Sequence, residues 1–81
     1  MLDEAMDMLK QNPMIGDRIE KKLWLKKYIR KYGINNLLRY PLGRDFRMIY
    51  TILGDSKEIA CVILDVLDHK EYDNLFGYAT S

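Results

Sequence analysis

"FRMIYTILGDSKEIACVILDVLD", residues 46–68, decides the fold. It holds two β-branched, apolar runs separated by a turn of Gly, Asp, Ser and Lys, a hairpin composition. In the first run Phe46, Met48, Tyr50 and Ile52 alternate with their neighbours, so one strand over 46–53 carries them on one face. The second run, 58–68, is apolar on both faces, which predicts a central strand. Upstream, "NLLRYPL" (36–42) predicts a short strand over 36–41, with Pro41 restricting it to an end or an edge. "GRD" is the turn between them. The sheet expected is a three-stranded antiparallel meander.

Ahead of the sheet the apolar period is helical. Leu2, Ala5, Met6 and Leu9 predict a helix over 2–11, stopped by Asn12-Pro13. Ile15, Ile19 and Leu23 recur every four residues and predict a second helix over 14–32, ended by Gly33. Trp24, Leu25, Tyr28, Ile29 and Tyr32 widen its apolar surface, so it bends or breaks near Leu25. The two form a helical hairpin covering one face of the sheet, with the other face partly open. Residues 69–81 are a tail, mobile or one short helix. The whole is a single α+β domain, 1–81.

Eighty-one residues give a thin core. One cysteine, Cys61, cannot form an internal disulfide or a zinc site, which fits a reducing compartment. No apolar run approaches the roughly 20 residues of a membrane span. "MLDEAMDM" is acidic where a signal peptide is basic. These features predict a cytoplasmic protein without a membrane segment, and no cofactor or metal motif is legible.

Net charge is +1, but residues 18–47 hold ten Lys or Arg against Glu20 and Asp45, between two acidic flanks. Lys22, Lys26 and Arg30, spaced by four, line one stripe of the second helix. Arg39 and Arg44 follow on the first hairpin. Cations beside Tyr28, Tyr32, Tyr40, Phe46 and Tyr50 suit an RNA surface, and the same rings suit a core. Arg47 points opposite to the Phe46–Met48–Tyr50 face, where a guanidinium can hold a phosphate bidentately or pair with Asp45, Asp65 or Asp68. His69 follows the last strand and is the one side-chain type whose unperturbed pKa lies near neutrality. With Tyr72 and Arg47 it could supply acid, base and phosphate clamp, although a lone histidine is more often structural.

"NLLRYPLGRDFRMIYTIL", then "EIACVILDVLDHKEYDNLF", resembles the RelE/ParE superfamily of toxins from toxin–antitoxin pairs. The resemblance spans about residues 13–76. It rests on a helical pair, a strand with an aromatic–Arg pair, a hydrophobic strand, and a His-Lys tail ending in an aromatic. It implies helices packed on an antiparallel sheet, here without the strand that usually precedes the first helix. The edge so exposed would favour a homodimer. It implies a toxin that inhibits translation as a ribosome-dependent messenger-RNA endonuclease, in which a 2′-hydroxyl attacks the adjacent phosphate. By position Arg47 holds the scissile phosphate, and His69 and Tyr72 move protons or stack on a base. Lys22, Lys26, Arg30, Arg39, Arg44 and Lys70 would contact RNA. The partners implied are messenger RNA, the ribosome and a cognate antitoxin. Two readings of another class stand beside it: a non-catalytic relative, such as a ParE-like gyrase inhibitor, and a helix–sheet interaction module.

Overall fold

The computed structural model describes residues 2–24, 26–55 and 57–76. The fold is α+β, with a four-stranded antiparallel sheet rather than three strands. Helix α1 spans Leu2–Gln11, α2 spans Lys26–Tyr32 and α3 spans His69–Phe76. Strands β1 (Asp17–Arg18), β2 (Leu38–Leu42), β3 (Phe46–Gly54) and β4 (Ile59–Asp68) lie side by side in chain order.

The continuous helix expected over 14–32 is not formed. That segment is a 3-10 turn at Pro13–Ile15, strand β1, a second 3-10 turn at Lys21–Leu23, and only then α2. The residues spaced by four are used differently. Ile15 packs on the face of the sheet that α1 covers, and Ile19 is buried on the opposite face. The chain therefore crosses the sheet edge between them. Gly16 sits at the crossing, where a Cβ would lie 2.5 Å from the Tyr50 hydroxyl and 2.6 Å from the Arg39 carbonyl oxygen. That hydroxyl accepts from the Gly16 N–H at 3.1 Å and donates to the Pro13 carbonyl at 2.8 Å. The break expected near Leu25 precedes α2, and Leu25 itself lies outside the described residues, as does the tail beyond Phe76 with Tyr78.

Helices consequently cover both faces, and the one-sided helical hairpin is corrected. On one face Ala5 and Leu9 of α1 pack on Leu38, Leu42, Met48 and Tyr50. On the other, Tyr28 of α2 and Tyr72 and Phe76 of α3 pack with Ile19, Ile34, Leu37, Ile49 and Leu67. Adjacent residues Leu37 and Leu38, where β2 begins, and Met48 and Ile49 in β3, serve opposite clusters, as the pleat requires. Phe46 is 40% exposed, while Met48 and Tyr50 of its expected face are fully buried.

β4 is an edge strand and not a central one. Its apolar residues on both sides answer to helices above and below the sheet, and not to strands on either flank. A bulge interrupts its pairing: Ile49 opposes Asp65 while Tyr50 opposes Ile63, leaving Leu64 unpaired. The β3–β4 turn is held by Asp55, whose Oδ1 accepts from the Lys57 and Glu58 amides at 2.8 and 3.0 Å. These bonds hold the Asp55 carboxyl below the usual carboxylate range. Gly54 is required there, since at φ 125° a Cβ would stand 2.0 Å from the Glu58 carbonyl oxygen.

Where the alternation predicts strand from residue 36, backbone pairing begins at Leu38. Asn36 extends the ladder with its side chain instead. Its Oδ1 accepts from the Ile52 amide at 2.7 Å and its Nδ2 donates to the Ile52 carbonyl at 2.8 Å. β1 pairs only with Leu38 and Arg39, so among the described residues the rest of β2 has one side without a strand partner. That accommodates Pro41, which has no N–H to offer the ladder. At the far end, α3 opens with a capping box: Asp68 Oδ1 accepts from the Glu71 amide at 2.8 Å, and Glu71 Oε1 from the Asp68 amide at 3.1 Å.

Candidate phosphate-binding site

The β2–β3 register sets Arg39 opposite Ile49 and Pro41 opposite Arg47. Arg39 and Arg47 are therefore diagonal neighbours on the face that α3 covers. Both converge on Tyr72. Arg39 Nη1 donates to the Tyr72 hydroxyl. The Arg39 guanidinium carbon lies 5.6 Å from the Tyr72 ring centre and that of Arg47 lies 4.6 Å from it, within cation–π range. Tyr72 is 1% exposed and stacks on Phe76 with centroids 4.6 Å apart. Phe76 in turn leans on Tyr28 at 6.5 Å. The tyrosine is thus a fixed aromatic platform for two cations, with its hydroxyl already engaged.

Asp17 closes the rim, its Oδ2 4.0 Å from Arg39 Nε. Asp17, Arg39, Pro41 and Arg47 enclose a groove of about 160 Å³. Paired guanidiniums beside a buried aromatic wall carry the planar, multi-donor geometry that suits a tetrahedral oxyanion, with Arg39 Nη1 and Nε already turned to the Tyr72 hydroxyl and Asp17. The carboxylate leaves the three charged groups with a net single positive charge.

His69 stands apart from this pair. It is exposed at the start of α3, and its Nε2 lies 2.6 Å from the Arg44 carbonyl oxygen in the β2–β3 turn. A carbonyl only accepts, so Nε2 carries the proton. Arg47 and Tyr72 meet directly, whereas His69 tethers the turn that joins their strands. Arg44 is exposed in that turn, and Lys70 is exposed on α3.

The lysine stripe is not continuous. Lys22 belongs to the Lys21–Leu23 turn and pairs with Glu20 at 3.3 Å, while only Lys26 and Arg30 share the surface of α2. Lys27 meets Asp65 at 3.6 Å, and the Tyr28 hydroxyl donates to the same carboxylate at 3.1 Å. Burial, and then the Asp65 charge, push the Tyr28 hydroxyl up. These contacts fasten α2 to β4.

Sequence reasoning missed Asp17 and Pro41 as walls of the groove. Only the strand register reveals them. Among the described residues no group of three His, Cys, Asp or Glu could hold a metal, and no helix is long and apolar enough to cross a membrane. No family model, curated protein or solved structure matches the chain.

Proposed function

We propose that the protein is a RelE-like toxin that binds messenger RNA through Arg39 and Arg47 and cleaves it on the ribosome. The observation that carries the reading is the convergence of two guanidiniums on Tyr72, with Arg47 in the aromatic–Arg position of the resemblance. The two arginines would hold the non-bridging oxygens of one phosphodiester and offset charge as it develops. The 2′-oxygen forms the new bond to phosphorus and the 5′-oxygen leaves. One proton departs the 2′-hydroxyl and one arrives on the 5′-oxygen. His69 is the histidine of the resemblance, and to take part it would have to release the Arg44 carbonyl and reach the arginine pair. Lys26, Arg30 and Arg44 would meet flanking phosphates, and a cognate antitoxin would neutralise the toxin.

A second reading has its own observation. The His69 bond to the β2–β3 turn and the burial of Tyr72 suit a non-catalytic relative that binds without cutting. Tightly controlled expression separates the two. The first reading expects growth arrest and cut messages from the wild type, and neither from Arg47→Ala or Arg39→Ala. Arrest with intact messages, alike in wild type and His69→Ala, would establish the second. No arrest and no cleavage would discard the toxin reading.

A further inference from the structure

A second surface lies on the opposite side of the sheet from the arginine pair. Between α1 and the beginning of β4 runs an open groove of about 500 Å³. Its floor includes Leu9, Met6 and Cys61, and its outer wall is Ile59, which is 59% exposed. Lys10 and Lys57 stand at its rim, and no carboxylate lines it among the described residues. Neither ammonium is in an ion pair with a described carboxylate.

The groove adjoins an incomplete sheet. β4 is an edge, so one side of its backbone has no strand partner among the described residues. Consecutive strand residues point to opposite faces. A groove lined by Ile59, Ala60 and Cys61 together therefore reaches the strand's edge as well as its side chains. The bulge at Leu64 divides that edge. Beyond it the strand carries Asp65 and Asp68, while before it the charged side chains that line the groove are Lys10 and Lys57, with Glu58 and Asp7 close by in sequence but outside the lining.

We propose that the Ile59–Ile63 half of β4, with the α1 groove, docks an extended acidic segment of a partner protein. The segment would pair with the β4 backbone and place alternate apolar side chains between Met6 and Ile59. Its carboxylates would meet Lys10 and Lys57, the two charged side chains that line the groove. This stands independently of the RNA reading, because none of these residues belongs to the arginine site.

The test uses the full chain, labelled with nitrogen-15, and a blocked peptide of three valines alternating with two threonines between terminal glutamates. The expected result is saturable amide shifts at Ile59–Cys61 and in α1, with slower alkylation of Cys61, the only thiol. Replacing the glutamates of the peptide by lysines, or Lys10→Glu with Lys57→Glu in a protein of unchanged circular dichroism, should weaken binding at least about fivefold. Equal binding of both peptides, shifts confined to α2 and α3, or no shifts at Ile59–Cys61 would overturn the proposal. So would decanoate filling the groove where the peptide does not, or a dimer in sedimentation with β4 amides already protected, since a second copy would then be the occupant.

Discussion

The two faces of one sheet, built from alternate residues of the same strands, do different things. On the α1 face Leu38, Leu42, Met48 and Tyr50 are all buried, and the one polar atom among their side chains, the Tyr50 hydroxyl, ties down the crossing at Gly16. On the α3 face Ile49 and Leu67 are buried in the same way, but the next strand positions are Arg39 and Arg47. Uniform apolar alternation makes a floor. Interrupting it with two guanidiniums, and setting them against one tyrosine, makes a cationic groove with an aromatic back wall.

The contrast predicts a ranking of effects. Truncating the first face should do most harm: Leu38→Ala or Met48→Ala should cost about 2–5 kcal/mol in denaturant unfolding. A loss below about 1 kcal/mol would mean that these residues of the α1 face do not stabilise the fold as their burial predicts. Tyr50→Phe should follow at about 1–3 kcal/mol, because the Gly16 amide and Pro13 carbonyl lose their partner.

Alkaline melting tests the same atom. Burial pushes the Tyr50 hydroxyl up, and burial with Asp65 does so for Tyr28. A raised folded-state value means that the neutral form stabilises the fold. That contribution is complete below about pH 10, the unfolded-state value, and is lost as pH climbs from there through the raised values. Thermal scans between about pH 9 and 12 should show that fall, and the Tyr28→Phe/Tyr50→Phe double variant should show a shallower one.

Replacing the arginines of the second face should have small effects on stability and large ones on binding. Arg47→Ala should change stability by about 1 kcal/mol, the scale of one cation–π contact. Smallest of all, Lys22→Ala should stay within about 0.5 kcal/mol, because its pair with Glu20 is exposed.

The fold was legible where side-chain period reports directly on burial. The alternation in 46–53 and the turn residues around Gly54 and Asp55 are sufficient for the β3–β4 hairpin. Residues 14–32 misled because Ile15, Ile19 and Leu23 satisfy a helical spacing that the chain reaches by crossing the sheet edge. A two-residue strand such as β1 has no period to detect. β4 misled for a different reason: apolar residues on both its faces report two covering helix layers and say nothing of lateral neighbours. The capping box of α3 was present as Asp68 and Glu71 at the right spacing. In the candidate site, Arg47 and Tyr72 were legible as residue types in position. The partnership of Arg39 with Tyr72, and the walls made by Asp17 and Pro41, depend on register and could not be read. His69 was placed at the end of the last strand, but its orientation toward the Arg44 carbonyl required coordinates.

The most direct test of the arginine pair is titration of a fluorescent single-stranded RNA onto the purified protein at fixed salt, compared with Arg39→Ala/Arg47→Ala. Two phosphate-holding guanidiniums predict at least about a tenfold loss of affinity and a shallower salt dependence in the variant. Equal affinity and an unchanged salt slope would contradict the assignment of this face to phosphate binding.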